Sequence, residues 1–110
     1  MALMNTTPRS SAEDIARALD PEVRGSELVA LAAHRDLAVR AVIASRTDAP
    51  MATLISLAHE SDARILEALA ANPASPLWVL RKLATERRAT IREAALSRLR
   101  TVEARAAVSA

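Results

Sequence analysis

Apolar residues recur along this chain with a period of about 26 residues, and internal similarity at such a period is typical of repeat architectures. When the segments 24–49, 50–75 and 76–101 are placed under one another, six columns hold an apolar residue in every segment. These columns are Leu28, Leu54 and Leu80; Leu31, Leu57 and Leu83; Ala32, Ala58 and Ala84; Val39, Ile65 and Ile91; Val42, Ala68 and Ala94; and Ile43, Leu69 and Ala95. The sequence therefore predicts three consecutive repeat units of equal length.

Each unit is predicted to contain two short helices. In the second unit, Leu54 and Leu57 are three residues apart and belong to one stripe of a first helix. Ile65, Leu66 and Leu69 follow at a spacing that places them on one face of a second helix. A short polar turn separates the two stripes in every unit, so the pattern predicts helix, turn, helix three times over.

Capping and helix-breaking residues mark the ends of these helices. Asp36 and Asp62 stand where the second helix of a unit begins, and their carboxylates are expected to accept the unpaired backbone N–H groups there. Pro73 disfavours helix at the residue before it, which predicts that the second helix of the middle unit stops near residues 71–72. Ser75 is expected to cap the next helix, with Pro76 in its first turn.

The two ends of the chain depart from the repeat. Residues 10–20 are predicted to form a single capped helix, which we interpret as part of an N-terminal cap over 10–23. Residues 1–9 are predicted to be a flexible N-terminus. A last weak helix is expected in a C-terminal cap over 102–110, so that 10–110 forms one helical-repeat domain.

Composition favours an all-α fold independently of this pattern. The chain holds 26 alanines, 14 leucines, one aromatic residue and one glycine, which favours helix packing over sheet and hairpin. There is no cysteine, which excludes disulfides and thiolate metal sites and fits a cytoplasmic location. No apolar run approaches the length of a membrane span, so no membrane partner is expected.

Two stretches of the middle of the chain resemble a known repeat family. Residues 57–65 read LAHESDARI and residues 70–80 read AANPASPLWVL. These resemble the leucine-rich repeat variant family, most specifically in the Asn-Pro-x-Ser-Pro junction, and the likeness covers about residues 24–100. The resemblance implies a short right-handed α-solenoid, similar to HEAT repeats, that acts as an interaction scaffold. A founding member carries a cysteine-ligated iron–sulfur cluster, a feature that this cysteine-free chain cannot share.

No residue pattern in the chain indicates catalysis or a cofactor. His34 and His59 are the only histidines, and they lie in equivalent turns beside acidic residues. We interpret them as solvated turn residues of diverged repeats, with a metal site as the alternative. No nucleophile is placed near a base and no glycine-rich loop is present. We therefore predict a non-enzymatic protein with no catalytic, cofactor-binding or metal-binding residues.

Trp78 is the most informative single residue. Its counterparts in the other units are Ser26 and Ala52, both small. One interpretation is an exposed anchor for a partner, because tryptophan is enriched at the centres of protein interfaces. The alternative is that Trp78 folds onto a neighbouring helix and fills a gap. Arg81 and Lys82 follow it on or near the same face.

Positive charge is concentrated at the C-terminal end of the chain. Residues 1–80 carry 7 basic and 10 acidic groups, net −3, whereas residues 81–110 carry 8 basic and 3 acidic groups, net +5. Arginine, which supplies most of this charge, forms bidentate pairs with carboxylate and phosphate groups. Three interpretations stay open for the last unit: contact with an acidic protein surface, contact with a nucleic-acid backbone, and a solvated face.

The sequence thus predicts an adaptor, or a small subunit of a larger assembly. Its partner-binding residues are predicted to be Trp78, Arg81, Lys82, Arg88 and Arg92. A protein partner, which an acidic surface would suit, is expected first, and binding of a nucleic-acid backbone by the last unit is the alternative. A homo-oligomer or a permanent complex is also expected to suit so short an array, because few units bury only a small core.

Overall fold

The computed structural model describes residues 11–109, and within this range the chain forms seven α-helices and no strand. The helices are α1 (Ser11–Leu19), α2 (Gly25–Leu31), α3 (Leu37–Ala44), α4 (Met51–Leu57), α5 (Ala63–Ala71), α6 (Leu77–Leu83) and α7 (Ala89–Ser109). The predicted all-α class is confirmed for these residues. The predicted flexible segment 1–9 lies outside them.

The helices are arranged in one continuous row with three short helices against it. Within the row, α1 contacts α3, α3 contacts α5 and α5 contacts α7. The short helices α2, α4 and α6 make their main contacts with this row and not with one another. Successive helices of each kind begin at the same spacing along the chain as the apolar columns.

The apolar columns form the core. Both leucine columns, the Val39 column and the Ile43 column are buried in all three segments. The two leucine columns lie on the short helices α2, α4 and α6, and the Val39 and Ile43 columns lie on α3, α5 and α7 of the row. The Ala32 and Val42 columns lie at the edge of this core, where only Ala58 is fully buried. Small residues at these edges let the helices approach closely.

As predicted, aspartate side chains cap the first turns of α3 and α5. The Asp36 carboxylate accepts a hydrogen bond from the backbone N–H of Ala38 at 2.9 Å. Asp62 accepts from the N–H groups of Arg64 at 2.9 Å and Ile65 at 3.3 Å. Both carboxylates thus satisfy donors that have no partner inside the helix.

The pKa values of the two cap carboxyls lie below their usual range. For Asp36 the main causes are the hydrogen bonds from the Ser11 hydroxyl and the Ala38 N–H. For Asp62, burial opposes the change, but the N–H groups of Ile65 and Arg64 and the positive charge of Arg64 outweigh it. A carboxyl whose pKa is lowered by folding stabilises the fold above its unfolded pKa, and this stabilisation is lost as the pH falls through the folded value.

We therefore expect the midpoint temperature of thermal unfolding of the parent protein to decrease as the pH is lowered from about 5 to about 2, partly because these two caps become protonated. The double variant Asp36→Asn and Asp62→Asn keeps an accepting oxygen but no titrating group. Its midpoint is expected to depend less on pH over this range, as measured by circular dichroism melts. Parallel pH profiles for the parent and the variant would contradict the assignment.

The predicted cap at Ser75 is wrong. Pro76 holds the position before the first turn of α6, and no side chain caps this helix. The Ser75 hydroxyl instead donates to the carbonyl of Leu69 at 2.6 Å, and the Ser75 side chain is buried. Ser75 lies one residue too early to cap α6, whereas the carbonyls in the last turn of α5 have no partner inside that helix.

Side chains at the ends of α3 and α5 tie neighbouring helices of the row together. The Arg46 guanidinium donates to the carbonyls of Ala18 and Asp20, each at 3.0 Å. The Asn72 amide donates to the carbonyls of Ala44 at 2.9 Å and Arg46 at 3.0 Å. In both cases the acceptors stand 28 and 26 residues earlier. Arg46 and Asn72 therefore make equivalent contacts, because each donates to carbonyls at the C-terminal end of the helix that comes before it in the row.

The last helix of the row, α7, does not end at the position where α3 and α5 end. α7 runs without interruption from Ala89 to Ser109, across the predicted boundary between the third unit and the C-terminal cap. No proline follows Arg98, which stands where α5 ends at Asn72-Pro73. After Leu99 every described residue except Val102 is exposed, so this end of α7 extends beyond the packed part of the structure.

Candidate functional site

Trp78 lies in the first turn of α6 and is directed towards the end of α4. Its ring centroid is 6.1 Å from that of His59, and the two rings are inclined at 58°. His59 is itself held by a 3.0 Å contact between its Nδ1 atom and the carbonyl of Ile55. Trp78 nevertheless stays 41% exposed. The indole therefore covers part of the neighbouring helix and presents the rest of its surface to solvent.

Lys82 is one turn after Trp78 on the same face of α6. Its ammonium group donates to the carbonyl of Ala58, at the end of α4, at 2.8 Å. Trp78 and Lys82 thus each connect α6 with the end of α4. Arg81 lies beside them on α6 and is exposed.

A basic depression lies next to Lys82, between the turn that follows α4 and the turn that follows α6. It is lined by Ser61, Lys82, Thr85, Glu86, Arg87 and Arg88. The Arg88 guanidinium donates to the Glu86 carboxylate at 2.8 Å and to the Ser61 carbonyl at 2.9 Å. The hydrogen bond between Arg88 and Glu86 raises the pKa of Arg88 and lowers that of Glu86, so both groups stay charged at neutral pH.

Arg92 does not line this depression. Its guanidinium donates to the carbonyls of Glu86 at 3.1 Å and Arg87 at 2.9 Å, and the residue is partly buried. Arg40, its counterpart in the first unit, donates to the carbonyl of His34 in the same way at 2.6 Å. The five predicted residues thus divide: three lie together on α6, Arg88 joins Lys82 in the depression, and Arg92 fixes the turn before α7.

An apolar groove between α2 and α4 was missed by sequence reasoning. Its volume is about 360 Å³. It is lined by Val29, Ala32, Ala33, Pro50, Ala52, Thr53, Ser56, Leu57 and Glu60. The available signal was the small size of Ala52 and Ser56, which stand in the columns that hold Trp78 and Lys82 one unit later.

His34 is not a solvated turn residue. Its Nδ1 atom accepts from the N–H of Asp36 at 2.9 Å, which leaves the proton on Nε2, 2.8 Å from the carboxylate of Asp14. This contact joins α1 to the turn before α3. Among residues 11–109 no group of three or more metal-ligating side chains comes together.

Comparisons with known proteins add no likeness to these observations. No protein-family model, curated protein or solved structure matches the chain. No helix within residues 11–109 is both long enough and apolar enough to cross a bilayer.

Proposed function

We propose that this chain is a non-enzymatic protein-binding module, a short right-handed α-solenoid of two-helix units resembling the leucine-rich repeat variant and HEAT repeats. The equal spacing of the helix starts and the continuous row of α1, α3, α5 and α7 support this architecture. The matching hydrogen bonds of Arg46 and Asn72 support it further, since stacked units repeat their contacts between neighbours.

The partial exposure of Trp78 is the main observation in favour of the proposed binding surface. A ring that only filled a gap would lose more of its contact with solvent, whereas 41% of this residue is accessible. His59 supports the indole from one side, which restricts its motion before a partner arrives. A pre-ordered aromatic ring loses little entropy on binding and supplies a large contact area.

The neighbouring charges suit a partner with an acidic surface. Arg81 is exposed beside Trp78, and Arg87 lines the adjacent depression. Lys82 and Arg88 already donate to the chain's own carbonyl and carboxylate groups, so they supply positive potential more than new hydrogen bonds. Such a rim raises the rate of association with a carboxylate-rich partner and selects against basic ones.

The binding surface is tested by two substitutions and two matched controls. Trp78→Ala with Arg81→Glu is expected to reduce recovery of the partner from extracts of the native cells by about tenfold or more, because an interface anchor is lost. Leu19→Ala with Arg105→Glu makes comparable changes at exposed positions elsewhere and is expected to leave recovery unchanged. Quantitative mass spectrometry of the captured proteins measures both. An unchanged set of partners with the first variant would contradict the proposed surface.

Nucleic-acid binding remains the second candidate, favoured by the cluster of Lys82, Arg87 and Arg88 around one depression. It predicts that labelled duplex or single strands bind at about 50 mM salt and that affinity falls steeply by about 200 mM. Fluorescence anisotropy measures this directly. The protein-binding proposal expects no saturable binding of either probe.

A further inference from the structure

Lys82 and Arg87 keep unused hydrogen-bond donors in the basic depression beside Trp78. An ammonium group has three N–H donors, and that of Lys82 uses one of them for the carbonyl of Ala58 at 2.8 Å. Arg87 lines the depression, and its guanidinium has no hydrogen-bond or ion-pair partner among residues 11–109. Both residues are exposed. An anion that enters the depression therefore meets donors from two cations.

Arg88, in contrast, is occupied by the chain itself. Its guanidinium donates to the Glu86 carboxylate and to the Ser61 carbonyl. The hydrogen bond to Glu86 and the nearby charges of Asp62 and Glu67 raise the pKa of this guanidinium. A ligand would have to displace these groups in order to bind Arg88. We therefore assign Arg88 a positioning role, because it joins the turn after α6 to the turn after α4.

The depression keeps a positive charge after these internal contacts are formed. Its lining holds three cationic side chains and one anionic side chain, that of Glu86, so it carries a net charge of +2. Its volume is about 610 Å³, which is large enough for one or two side chains of a partner. Hydrogen bonds between a cation and a carboxylate are stronger than neutral ones. The depression therefore suits carboxylate side chains.

The depression and the exposed part of the indole lie along the same flank of α6. Lys82 follows Trp78 by one helical turn on one face of the helix, which is a rise of about 6 Å along its axis. Arg87 follows in the turn after α6. One short segment of a partner can therefore contact the indole with an apolar side chain and place a carboxylate in the depression.

We propose that the partner presents an acidic segment in which an apolar side chain contacts Trp78 and a carboxylate about one helical turn away is bound by Lys82 and Arg87. This inference rests on the proposed protein-binding function of the surface and adds the chemistry of the segment that it recognises. A strand of nucleic acid carries a phosphate at every nucleotide and is matched by an extended row of cations. Here the unused donors lie at one place beside an apolar ring.

Selection of phage-displayed random peptides of about twelve residues on the parent protein tests this chemistry. We expect the selected peptides to share an aromatic or aliphatic residue and an aspartate or glutamate about three to five positions apart. Selection on Arg87→Gln is expected to lose the acidic preference and to keep the apolar one. Because Arg87 is exposed and its guanidinium is unpaired within residues 11–109, this change leaves the folded contacts intact.

Fluorescence anisotropy with a labelled selected peptide gives the size of each effect. Arg87→Gln is expected to weaken peptide binding about fivefold or more, because a charge-assisted contact is lost. Arg105→Gln makes the same change at an exposed arginine near the end of α7 and should change affinity by less than about twofold.

Glu86→Gln is expected to strengthen binding of the same peptide about twofold to threefold. The substitution removes a negative charge from the depression and leaves an oxygen that still accepts from Arg88. A side chain that only maintained the fold would not raise affinity when it is replaced. Unchanged or weaker binding by this variant would contradict a carboxylate in the depression.

Three further results would overturn the inference. The first is a selection that enriches no peptide, or only peptides without aspartate and glutamate. The second is equal peptide affinity of Arg87→Gln and Arg105→Gln. The third is displacement of the peptide by a DNA duplex whose own binding depends on Arg87, because the depression would then bind nucleic acid. Recovery of the native partner that depends on Trp78 but not on Arg87 would contradict this inference and leave the proposed function standing.

Discussion

Asn72→Asp is expected to destabilise the fold by about 3 kcal/mol or more, a large part of the stability of a domain of this size. Asn72 is 2% exposed, and its amide donates to the carbonyls of Ala44 and Arg46. Its own carbonyl oxygen accepts from the N–H of Ala74 at 2.9 Å. An aspartate at this position keeps the hydrogen bond from Ala74. Its second, negatively charged oxygen replaces the NH2 group and faces the two carbonyl oxygens. Urea denaturation followed by circular dichroism measures the loss.

The pH dependence of this variant distinguishes a charge effect from a packing effect. Burial against carbonyl oxygens is expected to raise the folded pKa of the introduced carboxyl above its unfolded value of about 3.9. The penalty is then complete above the folded pKa and shrinks as the pH falls towards the unfolded one. Ser97→Asp adds the same charge at an exposed position of α7 and should change stability by less than about 0.5 kcal/mol. A loss for Asn72→Asp that is small and independent of pH would refute the bridging role of Asn72.

Leu69→Ala is expected to destabilise the fold by about 3 kcal/mol, within the range of about 2 to 5 kcal/mol found for buried leucines. Leu69 is fully buried in α5, the helix that contacts both α3 and α7. Replacing its isobutyl side chain by a methyl group leaves a cavity in α5, between α3 and α7. The same denaturation measurement gives the difference.

Leu19→Ala is the matched control for this cavity. It makes the same chemical change at a leucine that is 64% exposed at the end of α1. We expect a loss of less than about 0.5 kcal/mol, because little apolar surface returns to water. Equal losses for the two variants would mean that α5 is not the centre of the core.

The third unit differs from the first two in both structure and charge. Arg88 stands where the first two units have an aspartate cap, and α7 continues where α5 stops. Trp78 and Lys82 contact the residues that follow α4, whereas the first two units have small residues at these positions. The chain therefore presents a basic surface beside α6 and an apolar groove between α2 and α4.

Local sequence signals determined the positions of the helices. Asp36 and Asp62 begin α3 and α5 because a cap needs only a side-chain oxygen beside the first N–H groups. α5 ends before Pro73 because proline restricts the residue that precedes it. The leucine columns are buried because a spacing of three or four residues places side chains on one face of a helix. The absence of a proline after Arg98 is a comparable signal for the continuous α7.

Tertiary structure decided how these helices are joined and what their surfaces offer. The repeat period carries no information about which carbonyls Asn72 and Arg46 reach, because these contacts depend on the distance between neighbouring helices. Arg92 belongs to a run of basic residues, yet two backbone carbonyls hold it in the turn. The groove beside Ala52 is lined by residues of α2, α4 and the segments that follow them, which only the packing of the helices brings together. The spacing of residues along the chain determines which side chains share one face of a helix. The packing of the helices determines which groups that face contacts.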